Sequence, residues 1–420
     1  MNPGLNLPRS KANRDCDLLR VLLVTVAAGG IGGMQRHTHD LVRGLVATGH
    51  DVEVICPRAE GLESELYGAR WTLLETAGRS REWPRLVTAA YEAAHARAPL
   101  DVVHSESTSA LPLVHARARI PITVKYHGNY LGLAKAHIRR ARETPTSAHR
   151  EARGLVWSTR KHFRHGNAWA FRHCESIVVS RYQLRDTARS HFIPQHLLHV
   201  VPNGVDVDVF TPGDRDMARR ALGLGNAPLV VAVGRLNREK GFDIAIAALK
   251  LMRREYPLLR LLVVGDGQDK ERLRTQALQL GVENEILFVG AQPQHKVIQY
   301  LVAADVFVFP TRRDEAGPLI LPEAMACGLP VIASRVGAVS EVLEPFGGAA
   351  PGILVSPGDV AELAGAGGRV LSNEALRSRL SSAARARAVS RYSLETMVQG
   401  TVAVYRAAIR RFHNGSVESV

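Results

Sequence analysis

Apolar positions along this chain fall into short runs of Val, Ile, Leu and Phe, each followed by a glycine-bearing or charged loop and then by a stretch of helical spacing. Asp305 to Pro310 is near-continuously apolar, as a parallel strand buried on both faces requires. A charged loop interrupts it. Pro322 then sits where a first helical turn tolerates a missing N–H, and Glu323 follows where the helix dipole favours a carboxylate. Gly328 ends the predicted helix and Pro330 to Ser334 forms the next strand. Glu315 is thereby placed on the loop at a strand's carboxyl end and Glu323 at the helix start beside it, where open α/β sheets bind ligands.

The same alternation fills the rest of the chain. Arg20 to Val26 reads as a strand leading through the loop Gly29 to Gly33 into a helix, Met34 to Ala47, and Asp51 to Cys56 is the next strand. Trp71 to Leu74, Val102 to His104 and Ile122 to Tyr126 are further strands, with helices over Trp83 to Ala98 and Leu111 to Ala118 between them. Ser176 to Ser180 and Leu198 to Val201 close a first domain, and Pro202-Asn203-Gly204 signals a turn. In the second half Leu229 to Gly234, Leu261 to Gly265, Ile286 to Gly290, Val306 to Pro310, Val331 to Ser334 and Ile353 to Val355 are strands, with helices such as Phe242 to Glu255 among them. Strands alternating with helices in this way predict two doubly wound parallel sheets. The expected division is a disordered tail over 1–17, domains over 18–204 and 205–393, an amphipathic helix over 394–412 and a tail over 413–420.

At 420 residues the chain exceeds one typical core, in keeping with two domains. The formal charge of +14 favours anionic partners, but no aromatic-interleaved basic motif or basic heptad region accompanies it, so nucleic acid is not expected. Four cysteines, with no CxxC pair and no zinc spacing, fit a reducing compartment. Val21 to Ala28 is too short for a leader and is preceded by Asp15 and Asp17. No apolar run approaches a spanning helix, and a cytoplasmic protein is expected. The basic segment Lys135 to Arg172 interleaves Leu155, Val156, Trp157, Phe163, Trp169 and Phe171 with its cations. It reads either as a solvated face with those apolar residues in the core or as a surface docking peripherally on anionic membrane.

Candidate chemistry lies at the strand ends. Gly234 closes a buried strand, Arg235 follows at the sheet's carboxyl edge, and Gly241 lets a helix begin directly after Lys240. Arg235 suits bidentate phosphate contacts and Lys240 acts as a point charge; the alternative is a solvated basic loop. Glycines over Gly29 to Gly33 allow a backbone to approach phosphate, although Gln35 breaks a G-x-G-x-x-G reading. His127 ends another strand. His37 and His39, two apart on a helix, point to different sides and do not form a metal pair.

Glu315 and Glu323 as E-x7-E, the Gly234-Arg235-Leu236 and Glu239-Lys240-Gly241 elements and the glycine loop occur in an order that resembles retaining glycosyltransferases of family 4. The resemblance spans nearly all of residues 18 to 412. It implies the GT-B fold, two Rossmann-like domains with a cleft between them, with a final helix returning to the first domain. It implies that Arg235 and Lys240 hold the donor diphosphate, that Glu315 and His127 contact the transferred sugar, and that Glu323 holds ribose hydroxyls. Gly32 and Gly33 would face the donor phosphates and acceptor, Val289 and Gly290 the nucleobase, and Gly317, Leu319 and Ile320 the donor within the E-x7-E loop. Gly317-Pro318 departs from the more usual Phe-Gly, which bears on sugar preference. The implied activity moves a hexose or N-acetylhexosamine from an NDP-sugar, with UDP the commonest nucleotide and ADP and GDP also used, to a hydroxyl acceptor, lipid-linked glycan or small molecule. Two fixed cations on the phosphates make a metal unnecessary, and no cofactor besides the donor is implied. A catalytically silent nucleotide-sugar-binding protein, a nucleotide-sugar epimerase and an inverting transferase are the alternatives.

Overall fold

The computed structural model describes residues 18–29, 32–59, 62–76, 80–127, 152–156, 173–345 and 348–417, with Ile138, His149 and Phe171. The expected amino-terminal tail and most of the basic segment lie outside the described residues. Within that segment Phe171 is wholly buried in a cluster with Val124, Tyr126 and Val178, whereas Val156 is exposed. Among the described residues no helix is long and apolar enough to cross a membrane.

The chain divides into two compact units, one of Met1–Asn203 with Leu394–Val420 and the other of Gly204–Ser393. Unit 1 holds an eight-stranded sheet in the order β3-β4-β2-β1-β5-β6-β7-β8. Its strands are β1 Arg20–Val24, β2 Asp51–Pro57, β3 Glu65–Leu66, β4 Ala69–Leu74, β5 Val102–Glu106, β6 Ile122–Tyr126, β7 Ser176–Val178 and β8 Leu198–Val200. All neighbours are parallel except the short β3, which pairs antiparallel with β4. The continuous apolar run of β1 is explained by its two covered faces. Val21 and Leu23 pack with Leu41 and Leu45 of the helix Gly33–Ala47 and with Met397 and Tyr405, while Leu22 and Val24 pack with Trp83, Val87 and Tyr91. The helix Leu394–Val417, which runs five residues past its expected end, thus supplies part of unit 1's core.

Unit 2 is a six-stranded, wholly parallel sheet in the order β11-β10-β9-β12-β13-β14. The strands are β9 Leu229–Val233, β10 Arg260–Val264, β11 Ile286–Gly290, β12 Val306–Phe309, β13 Val331–Ser334 and β14 Gly352–Val355. Alternate residues again serve two faces. Val231, Phe307 and Phe309 pack with Leu321 and Met325, and Val230 and Ala232 pack with Phe242, Ile246 and Leu249. Cys56 and Cys327 lie buried among apolar neighbours, and burial pushes both thiols up to about 12, leaving them inert small hydrophobes.

One strand boundary matters for function. The apolar run that predicts β5 stops at His104, but the strand continues through Ser105 and Glu106, both buried.

Candidate active site

In unit 2 the strand order reverses between β9 and β12, so the loops leaving these strands diverge and open a crevice at the sheet's carboxyl edge. The β9 loop ends in a short 3-10 turn, Arg238–Lys240, whose Lys240 N–H donates to Asn237 Oδ1 at 3.2 Å. Gly241 follows with φ 71°, and a Cβ there would strike the carbonyl oxygen of Pro310. Only glycine lets the β9 and β12 loops meet backbone to backbone. Glu239 O accepts from Arg312 N at 2.8 Å and from Thr311 Oγ1 at 3.1 Å, and the Arg312 guanidinium grips Asp243 with bonds of 2.8 and 2.9 Å. Burial pushes the Asp243 carboxyl up, but the Arg312 bonds and charge outweigh it and leave it below its ordinary value.

These bonds fix two chemical groups against each other. Lys240 Nζ donates to Glu315 Oε1 at 2.6 Å, with side chains 22% and 13% exposed, and the same ammonium lies 5.4 Å from the ring centroid of Phe309. Glu315 is held from behind, its carbonyl accepting from Ala338 N at 2.8 Å, and Gly337, φ 48°, leaves room for its backbone. Arg235 is exposed at the start of the same loop. Glu323 is buried in the first turn of the helix Ile320–Ala326. Gly317, Leu319 and Ile320 are partly buried in the connection between Glu315 and that turn. Val289 and Gly290 end β11, two strands from β9, where Gly290 O accepts from Gly265 N at 2.8 Å.

Unit 1 reverses its order between β1 and β5. Gly33 opens the helix Gly33–Ala47, and Gly32 before it caps that helix with no side chain. Near that point the ends of β5 and β6 and the helix bring together a buried polar cluster. His127 Nε2 is hydrogen-bonded to Glu106 Oε2, and His104 Nε2 meets Glu106 Oε1 at 3.3 Å. His37 Nε2 also lies 3.3 Å from Glu106 Oε1, and the His37 and His127 rings stand edge-on with centroids 5.0 Å apart. Tyr405 on the last helix bonds His104 Nδ1 through its hydroxyl at 2.9 Å. Lys125 is fully buried, and among the described residues neither its Nζ nor the two ring nitrogens of His37 has a hydrogen-bond partner.

The charges of this cluster follow from its surroundings. Burial pushes the Glu106 carboxyl up, but the His127 ring beside it and the hydrogen bonds from His104 and His127 hold it well below the ordinary range. Burial, helped by the Lys125 charge, brings His37 down to about 3, so its ring is neutral. Burial lowers Lys125 to about 8, with Glu106 acting in the opposite direction.

Comparison with known proteins accounts for both halves. The family model for Glycosyltransferase Family 4 matches residues 31–209, and that for Glycosyl transferases group 1 matches residues 214–387. The chain belongs to glycosyltransferase family 4. A D-inositol 3-phosphate glycosyltransferase of Acidothermus cellulolyticus is 36% identical over 222 residues, an alignment covering 50% of this chain and 48% of that relative, so the chain spans about half its length. The glycogen synthase of Mycobacterium tuberculosis is 27% identical over 398 residues, covering 90% of this chain and 92% of that one. Sucrose-phosphate synthase from Thermosynechococcus elongatus has the same fold, with a TM-score of 0.72 at 23% identity and coverage of 93% and 99%.

As a family 4 glycosyltransferase the chain has its sequence-predicted residues in two groups. Arg235, Lys240, Glu315, Gly317, Leu319, Ile320 and Glu323 lie along the two loops at unit 2's reversal point, with Val289 and Gly290 farther along the same edge. Gly32, Gly33 and His127 lie at the reversal point of unit 1. Glu106, Lys125, His104 and Tyr405 carry no signal in local periodicity. The usable clue was a charged residue, Lys125, inside an otherwise apolar strand two positions before His127. His37 and His39 do face different ways, His39 stacking on Trp71 with centroids 5.2 Å apart. Among the described residues His37, Glu106 and His127 form the group that could hold a metal ion, their ligand atoms all within 4.8 Å of one another. Two imidazoles and a carboxylate suit a transition ion, yet the buried Lys125 ammonium already supplies the balancing positive charge.

Proposed function

We propose that this chain is a retaining hexosyltransferase. It moves a hexose or N-acetylhexosamine from a nucleoside diphosphate sugar, UDP in the first instance, to an acceptor hydroxyl on a lipid-linked glycan or a small molecule. The observation that carries the reading is the Lys240–Glu315 ion pair at unit 2's reversal point, beside the exposed Arg235. A diphosphate arriving there meets one cation free to fork onto its oxygens and a second whose present partner is a single carboxylate. Once Lys240 turns to phosphate, Glu315 is released to the sugar.

Cleaving the sugar–phosphate bond concentrates negative charge on the departing diphosphate, and Arg235 and Lys240 stabilise that charge without a metal. With Glu315 already engaged by Lys240, the reading is front-face substitution: the bond from the anomeric carbon to the diphosphate oxygen breaks, the leaving phosphate takes the acceptor's proton, and the hydroxyl oxygen bonds to the anomeric carbon. Glu315 orients the sugar, Glu323 takes ribose hydroxyls, and His127 contacts a sugar hydroxyl. Gly32 and Gly33 leave backbone N–H groups open to phosphate or acceptor.

Labelled UDP-glucose, ADP-glucose and GDP-mannose, each incubated with and without a cell extract, test this. Release of NDP with a new glycosylated product is expected. Isomerised donor would establish an epimerase, and nucleotide binding without turnover a silent binding protein. Contact between the basic segment and anionic membrane belongs to the same proposal; co-sedimentation with anionic but not neutral liposomes, lost on adding salt, is its expected outcome.

A further inference from the structure

The polar cluster of unit 1 is costly to bury, and every member but one is sealed from water. Glu106, His37, His104, Lys125 and Tyr405 are all buried, whereas the His127 side chain is 16% exposed. A carboxylate only accepts hydrogen bonds, and each oxygen of Glu106 has an imidazole nitrogen against it. The nitrogen of His127 that meets it, Nε2, therefore carries a proton and donates, which leaves Nδ1 as the nitrogen that a ligand can reach. His37 fixes the ring's second degree of freedom by packing edge-on against it. Glu106 in turn cannot swing, because His104 holds its other oxygen and Tyr405 holds His104 from a helix 301 positions away in sequence. Lys125 keeps the buried carboxylate from standing as an uncompensated charge.

From this geometry we infer that Glu106 is a positioning residue. With Lys125 as its buried counter-charge it locks the ring of His127 in the tautomer that presents Nδ1 to a substrate hydroxyl. The inference rests on the transferase reading above. It adds which nitrogen meets substrate, which residue sets it and what group is recognised: a hydroxyl that donates to Nδ1 when the ring is neutral.

The experiment compares Glu106→Gln, His127→Ala and the double variant with the wild-type chain, using UDP-glucose, ADP-glucose and GDP-mannose with water as acceptor. Glu106→Gln keeps the size of the side chain and removes its charge. It is expected to lower kcat by about tenfold or more through loss of ring orientation, with a displaced pH–rate profile. In the His127→Ala background the same change should cost less than about twofold, because residues acting as a unit are not additive. Losses that multiply would overturn the inference, since a structural role for Glu106 is independent of the ring. If Glu106→Gln misfolds, Glu106→Gln with Lys125→Met removes both buried charges together and serves in its place. A second readout needs no turnover. Nitrogen-15 spectra of histidine-labelled protein, with His127 identified by its absence in His127→Ala, should show Nε2 protonated in the wild type and a changed signal in Glu106→Gln. An Nδ1–H tautomer, or one equivalent of bound transition metal in the purified protein, would overturn it. If no probe is turned over, the transferase reading and the substrate half of this inference fall together, and the nitrogen spectrum separately decides the ring.

Discussion

Both units gather charged side chains where their strand order reverses, but they treat them oppositely. Unit 2 leaves Arg235 exposed and holds Lys240 and Glu315 in a partly buried pair that water still reaches. Unit 1 buries Glu106, Lys125 and His37 and lets only His127 reach the surface. A pair that water still reaches costs less to break than a sealed one, because water screens it in part and takes over some of its hydrogen bonding. A buried one is expensive to break and holds its neighbours in one geometry. The same topological position therefore carries a partly solvated ion pair in one sheet and a sealed polar cluster in the other.

The sharpest way to break this contrast is to remove unit 2's cations. Arg235→Ala and Lys240→Ala are each expected to lower turnover roughly a hundredfold or more while melting near the wild-type temperature, as lost transition-state charge stabilisation requires. Near-normal rates in either purified variant would remove unit 2's loops from the chemistry. The carboxylates refine the picture. Glu323→Gln should weaken UDP binding by roughly tenfold, the worth of a charged hydrogen bond, whereas Glu315→Gln should chiefly lower kcat. Calorimetric titration of UDP into both variants checks the assignment, and the reverse pattern would exchange the two roles.

The buried side of the contrast is tested by acid. His37 binds its proton at about 3 in the folded chain, below its ordinary 6.5, so between these values the unfolded state holds the extra proton and stability falls as pH falls. The Glu106 carboxyl, held low, contributes stability that is likewise lost only as pH drops below its ordinary 4.5. Urea unfolding from pH 7 to 4.5 should show stability falling by up to about 1.4 kcal/mol per pH unit for the His37 proton, and His37→Gln should flatten that slope. An unchanged slope would mean that the ring is not buried neutral. The smallest expected effect is none at all: turnover should persist in EDTA, since fixed cations cover the diphosphate and Lys125 balances Glu106. A strict dependence on manganese or magnesium would reassign the His37, Glu106 and His127 cluster as a metal centre.

The sequence made the sheets and the unit 2 loops readable because buried parallel strands write themselves as unbroken apolar runs. Ile122 to Tyr126 and Ile286 to Gly290 have the expected bounds in the structure. The sequence puts Glu315 on the loop at a strand's carboxyl end and Lys240 directly before a helix start, but their contact spans 75 positions and no local pattern encodes it. The unit 1 cluster was hidden for the opposite reason. Ser105 and Glu106 end the apolar run and with it the predicted strand, although both are buried and Glu106 meets His127 just past β6 and His37 on the helix Gly33–Ala47. Periodicity reports what water would reject, and it misreads polar groups that the fold itself solvates. The two-residue β3 was too short to leave any pattern.

The position of Tyr405 bears on how the chain is made. The strands of unit 1 all precede unit 2 in the chain, yet Met397, Val398, Val402, Val404 and Tyr405, which complete one face of its sheet, come from the helix that follows unit 2. On the ribosome, Gly204–Ser393 emerges as a contiguous stretch and can fold while the first sheet still shows an uncovered apolar surface. That surface waits for about 190 residues to be translated, at roughly 5–20 residues per second, a delay of some ten to forty seconds. For that interval the face that Met397 to Tyr405 cover stays open to water, and it closes only once that helix has emerged.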